Sequence, residues 1–274
     1  MIELPEASVL ADQSRQTLVG KTIHSAVANS SPHGFAWYTG DPALYSDLLQ
    51  GKTITAAQGF GGRLDLSIEE LTFSFNDGVN LRYLAAGAKL PPKHQLLIQF
   101  TDGDYLVGTV QMYGGLSLFP AGSNESMYYL VAIEKPSPFS DDFDAAYFDT
   151  LWQSVKPNLS VKAFLATEQR IPGLGNGVLQ DILFNAGIHP KRKLQSIDEA
   201  GKEALYNSVR KTLVAMRDQG GRDTEKDLWG QEGGYQSILS RKTLAFPCRV
   251  CGSNLKREAY LGGNIYFCPT CQPQ

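Results

Sequence analysis

The chain opens MIELPEA, which places two carboxylates, Glu3 and Glu6, within six residues of the α-amine of Met1. An amine beside carboxylates can act as a nucleophile with its own proton shuttle. A terminus suits this better than a lysine. At an ordinary pKa of about 7.7–8.0, roughly a tenth to a fifth of an α-amine is neutral at pH 7, against well under about a tenth of a percent for Lys. The plainer alternative is that both glutamates complement the positive end of a helix dipole, in a first turn that Pro5 also suits. Taken alone, these residues leave both open.

The four cysteines form a second constellation. Cys248 with Cys251 and Cys268 with Cys271 make two C-x2-C pairs, sixteen residues apart. The spacing fits a zinc ribbon with four thiolate ligands. No His or carboxylate joins them and no coordination position is left open, so the zinc is structural, holding a hairpin too small to bury a core of its own. Such a ribbon serves nucleic-acid contact and structural capping alike.

A third stretch, KAFLATEQRIPGLGNGVLQDILFNAGIHP, reads as helix, tight turn, helix. Pro172, Gly173 and Gly175 force the turn, and Asn176 is placed to cap the second helix. Glycines before a helix start leave backbone N–H groups open to an anion such as phosphate. A packed helical hairpin with a Gly-rich corner would read the same way.

The elements that must position these residues follow from periodicity. Ala7, Leu10, Ala11, Ser14 and Leu18 recur at helical spacing over 6–19, and Gly20 ends the helix. From 21 to about 119 short alternating strands take over (KTIHSAVA, RLDLSI, LTFSF, VNLRYL, HQLLIQF, YLVGTV), with NDG at 76–78 and TDG at 101–103 as hairpin turns. Helices are expected at about 144–155, 160–167, 177–186 and 198–218, and 218–234 as a long mobile loop. The fold class is α+β: an N-terminal helix with an antiparallel β-sandwich over 1–133, a linker at 134–144, a helical domain over 145–240 and a zinc ribbon over 241–274.

At 274 residues, 42% of them hydrophobic and 19% charged, the chain has room for two cores and contains no membrane-length apolar run. Its first residues are acidic, without the apolar segment of a signal peptide, and the protein is expected in the cytoplasm. The net charge of −3 conceals a division. Residues 1–150 carry 8 basic against 17 acidic side chains, and 151–274 carry 17 against 11. The basic half is where phosphate contacts are expected. Lys191 and Arg192, beside Lys193, form its densest cluster; Lys256 and Arg257 lie in the zinc hairpin, with Arg241 and Lys242 just ahead of it. His24, His33, His94 and His189 lack paired spacing and read as structural.

IPGLGNGVLQDILFNAGIHP closely resembles the helix–two-turn–helix of the formamidopyrimidine-DNA glycosylase/endonuclease VIII family. MIELPEA resembles that family's N-terminal signature, and the two cysteine pairs with FCPTCQ resemble its zinc finger, in the same order and at the same spacing. The resemblance implies a base-excision-repair DNA glycosylase with AP-lyase activity on oxidised bases or abasic sites. It further implies a flipped nucleotide, a terminal amine that forms a Schiff base with the sugar, a structural zinc, and damaged double-stranded DNA as partner of a monomer. It carries the catalytic glutamate onto Glu3, the second acidic residue onto Glu6, a phosphate-binding asparagine onto Asn176, and places Gly173 and Gly175 in the DNA-facing turn.

Several positions depart from the family. Where most members expose a proline after losing the initiator Met, this chain has Ile2, whose bulk disfavours Met removal. The amine then belongs to Met1, up to about 3.5 Å from the usual place. Arg63 stands for a β-turn lysine. The void-filling residues correspond to Ala86, Gln111 and Tyr113, of which Tyr113 can still wedge between bases. Gly263 stands where the finger carries a phosphate-gripping arginine. Two readings follow: a divergent glycosylase/lyase, or an inactive paralogue that binds abasic or distorted DNA. A zinc-ribbon protein-interaction module would leave PGLGN and the basic half unexplained.

Overall fold

The computed structural model describes all 274 residues. Helix α1 (Leu4–Thr17) carries Pro5 in its first turn and buries Ala7, Leu10, Ala11 and Ser14 of the expected face, with Leu4 beside them. There follow β1 (Ile23–Ala28), β2 (Ala36–Tyr38), α2 (Tyr45–Leu49), β3 (Ile54–Phe60), β4 (Arg63–Ile68), β5 (Leu71–Leu84), β6 (Leu96–Phe100) and β7 (Tyr105–Pro120). The strands pair antiparallel in the order β1-β6-β7-β5-β4-β3, and β2 adds parallel to β7. Ile23 and Ile98 from one end of that path share a single core of 27 residues with Ile54 and Leu66 from the other. The sheet therefore folds over on itself, giving the sandwich.

NDG at 76–78 is not a hairpin turn. LTFSF and VNLRYL are one strand, β5, and Asp77, at φ +56°, forms a bulge where the register against β7 shifts before Val79. A Cβ on Gly78 would lie 2.0 Å from the carbonyl oxygen of Gln111, so β7 closes over the bulge and only glycine fits. TDG does turn the chain, between β6 and β7, with Gly103 N–H donating to Phe100 O at 3.0 Å.

The second half begins with α3 (Met127–Glu134), which the sequence pattern did not mark, then α4 (Ala145–Gln153), α5 (Val161–Ala166), α6 (Asn176–Asn185) and α7 (Glu199–Asp218). Asp144, Ser160 and Asp198 each accept an N–H of the first turn of α4, α5 and α7. These helices close a core of 20 residues, among them Phe148, Phe164, Leu179 and Val209, to which α1 contributes Leu4. The zinc hairpin is β8 (Lys256–Tyr260) with β9 (Gly263–Phe267).

The segment 218–234, expected to be mobile, is a strap tied to both halves. Leu228 is fully buried in the sandwich core. Tyr83 N–H donates to Leu228 O at 2.8 Å, and Arg82 donates to Asp227 O at 2.7 Å. Its many glycines signal tight turns here: Gly220 and Gly221 both take positive φ, and Gly221 N–H donates to Met216 O to leave α7.

Candidate active site and nucleic-acid interface

The chain start lies where α1, the β3–β4 turn, the β5 bulge, the start of α6 and the strap meet. Ile2 N–H donates to Asp77 O at 2.6 Å and Leu4 N–H to Gly173 O at 3.0 Å, fixing the first residues between bulge and turn. The Ile2 side chain is buried in the sandwich core. The Met1 amine is partly exposed and forms an ion pair with Glu225 of the strap. Sequence spacing could not foresee that partner, since 224 positions separate the two.

Glu3 is buried, and both its oxygens are engaged. Oε1 accepts Gly177 N–H at 2.8 Å and Oε2 accepts Val178 N–H at 2.7 Å, so the carboxylate itself sits at the start of α6. This corrects the expectation for that helix start. The anion its first N–H groups bind is Glu3, not an external phosphate, and the cap residue is Gly175 rather than Asn176. The glycines serve this packing. A Cβ on Gly175 would fall 2.4 Å from Glu3 Oε1, and one on Gly173 would fall 2.3 Å from Gly62 N in the β3–β4 turn.

Arg222 joins the two glutamates. Its Nε and Nη2 donate to Glu6 at 2.8 Å each, a bidentate pair, and Nη1 lies 3.3 Å from Glu3. All three side chains are buried. Burial pushes the Glu3 carboxyl above its ordinary value despite Arg222 beside it. For Glu6 burial acts in the same direction, but two guanidinium bonds outweigh it and hold the carboxyl low. Neighbouring carboxyls thus have opposite tendencies, a pattern typical of acid–base sites. Arg222 lies in a stretch that composition marked only as a loop, and sequence reading missed it.

Arg63 opens β4 directly after the Gly61–Gly62 turn, with its guanidinium 5.7 Å from the centre of the Tyr129 ring and in the field of Asp77 and Asp65. Asp77 is a second residue the sequence did not single out. Burial raises its carboxyl, while Arg63 and the chain amine act against that shift. Ala86, assigned to the wedge, lies elsewhere: it sits past the end of β5 beside Asp104, and the bulge residue Asp77 takes the place next to Ile2. Gln111 and Tyr113 are exposed on β7 against that bulge.

Asn176 Nδ2 donates to Asn264 O at 2.8 Å, while its Oδ1 is buried and finds no partner. Gly263 packs against the same side chain, so the finger hairpin and the helix–turn–helix meet there. Lys162, also missed, is buried in α5 and donates to Tyr260 O at the hairpin turn, carrying a cation into this corner. Lys191 pairs with Glu258, and Arg192 donates to Ser196 O at 2.8 Å, so both cluster residues are held within the chain. His189 packs edge-on to Phe267 at 4.4 Å, in keeping with a structural role.

The Sγ atoms of Cys248, Cys251, Cys268 and Cys271 all lie within 4.8 Å of one another. Tetrahedral zinc with Zn–S of about 2.3 Å separates its sulfurs by about 3.8 Å, and the Cys248–Cys271 pair stands at 3.8 Å. The cluster is a structural zinc site. It is joined to the helices by Tyr266 N–H donating to Gln180 at 2.9 Å and by Gln272 donating to Ile188 O at 3.0 Å.

A helix-fronted β-sandwich, a helix–two-turn–helix and a four-cysteine zinc hairpin together define a DNA-repair glycosylase architecture. Residues 135–226 match the formamidopyrimidine-DNA glycosylase H2TH domain. The formamidopyrimidine-DNA glycosylase of Gloeobacter violaceus is 30% identical, over 99% of this chain and 98% of its own length. That of Cytobacillus firmus is 28% identical over 99% and 100%. Among solved structures, Lactococcus lactis Fpg in complex with abasic-site DNA has a TM-score of 0.84 at 23% identity, covering 99% of this chain and 100% of that one. Thermus thermophilus MutM (Fpg) has 0.80 at 22%, covering 98% of each. The chain belongs to the formamidopyrimidine-DNA glycosylase family.

Proposed function

We propose that this protein binds DNA at abasic or oxidised-base sites and acts on it as a glycosylase/AP lyase through the α-amine of Met1. The observation that carries this reading is the Met1–Glu225 pair: a partly exposed α-amine held by a carboxylate, next to buried Glu3 and Glu6. Glu225 can take the ammonium proton, leaving a neutral nucleophile. The amine then attacks the sugar C1′ aldehyde of an abasic site and expels water to form an imine. Loss of a C2′ proton to a carboxylate drives β-elimination, with the 3′ phosphate leaving. Arg63, beside the bulge, and Asn176 with Lys162, at the finger corner, are proposed to hold phosphates on either side of the extruded nucleotide. Family membership supports the DNA partner, and the bacterial relatives are named glycosylases.

A second reading, recognition without chemistry, is favoured by two observations. The nitrogen of Ile2 is an amide committed to Asp77 O, and Arg222 pairs with both glutamates. Borohydride trapping on a duplex with one abasic site separates the two. The expected result is a covalent adduct whose DNA-bearing peptide begins at Met1, lost when the amine is acetylated. A duplex bound in a salt-dependent way but never trapped would establish the recognition reading instead.

A further inference from the structure

Strand β2 and the 29–35 segment before it lay an aromatic group beside the proposed reaction centre. Phe35, in the turn just before β2, is 62% exposed and Trp37, within it, 50%, while the strand's Ala36 and Tyr38 pack against the sandwich core. Trp37 and Tyr113 approach with ring centres 5.9 Å apart at an interplanar angle of 38°. Met112, between Gln111 and Tyr113, is 70% exposed and held at φ +64°, a conformation that costs energy for a non-glycine residue. The backbone holds this group rigidly. Gly114 N–H donates to Phe35 O at 3.0 Å, and Ala36–Tyr38 run in parallel register with Gly114–Leu116. Large apolar side chains held open to solvent by a fixed backbone point to a binding surface.

Charge identifies the occupant. The Tyr113 backbone closes over Gly78 of the bulge that bridges to Ile2, so the platform adjoins the amine site, and burial first, then the nearby Asp77 and Glu3 carboxylates, raises the Tyr113 phenol. The half of the chain that carries it holds 17 acidic against 8 basic side chains over residues 1–150. Arg63 aside, that excess favours the neutral face of a nucleobase over a run of phosphates, and bases stack on aromatic rings without sequence preference.

We propose that Trp37, with Tyr113 and the exposed Met112 and Phe35, forms a stacking subsite for an unpaired nucleobase, so that this protein favours DNA with unpaired bases next to the lesion. The proposal rests on the DNA-binding reading above and adds to it a subsite built from β2. Bases in an intact duplex have no free face to offer it. Bases of a single strand, gap or bulge do.

The test is binding of a labelled 15-nucleotide single strand and of the matching intact duplex, each at low salt, to the full-length zinc-loaded protein. Trp37→Ala is expected to weaken the single strand by about fivefold or more, the lower end of what one base–aromatic stack contributes. The duplex should change less than about twofold, and Trp37→Phe should restore most of the loss. Equal losses on both forms, or none on either, would overturn the subsite while leaving DNA binding intact. Failure of the unaltered protein to bind either form would overturn the DNA-binding reading and the subsite with it. Self-association that Trp37→Ala abolishes, with single-strand affinity unchanged, would assign the platform to a second copy of the chain.

Discussion

Arg222 carries more of the site than any residue named in advance. It is a single buried cation between two buried carboxylates, and the desolvation of all three is offset only while the set is complete. Replacing it with Ala leaves two anions unpaired, and the expected cost is about 3–5 kcal/mol, read as a drop in denaturant midpoint. An unchanged midpoint would show that water reaches the glutamates. The pH dependence has a definite sign. Because Glu6 is held below its ordinary value of 4.5, its contribution is complete above that value and is lost as pH falls through the lowered folded one. Glu6→Gln should therefore be less stable at neutral pH and show a shallower loss in acid. A parallel acid profile would remove Glu6 from that role.

At the scale of elements the strap 218–234 matters most, since it delivers Arg222 and Glu225 to residues at the chain start. It is pinned just past its middle by Leu228, a strap side chain inside the sandwich core. Leu228→Ala removes that pin at an expected cost of about 2–5 kcal/mol, with local as well as global consequences. Amides of 222–233 should exchange faster than those of α7, and adduct formation with an abasic site should fall because Glu225 no longer stays at the amine. Faster exchange with full trapping would separate the strap from the chemistry. The helix start of α6 teaches the same lesson: its two free N–H groups bind a glutamate brought from the far end of the chain.

For the whole molecule, the zinc site and the division of charge act together. The finger carries Asn264 and Gly263 to Asn176, so stripping the metal should abolish DNA binding while the two larger cores keep their far-UV signature. A chelated protein that still binds would show that the finger is a cap. With the excess of basic residues confined to 151–274, log affinity should fall with log salt by about 0.9 per phosphate neutralised. A slope near zero would rule out backbone contacts. No helix of the structure is long and apolar enough to cross a membrane.

Much of this was readable from one dimension because the signals were local. The α1 face, the α4 to α7 helices and the cysteine pairs all rest on spacings of two to four residues, which backbone geometry translates directly into one face or one metal knuckle. What sequence alone could not yield were contacts between distant segments. NDG reads as a hairpin turn locally, yet the closure of β7 over Gly78 makes it a bulge inside β5. The strap reads as mobile from its glycines, yet Leu228 finds a core whose other members all lie 110 residues or more earlier in the chain, a separation that no periodicity spans. MIELPEA determined that an amine and two carboxylates start the chain. Only the tertiary structure decided that the amine meets Glu225, that Glu3 takes the α6 helix start, and that Arg222 holds both glutamates, because burial and pairing are properties of the folded neighbourhood.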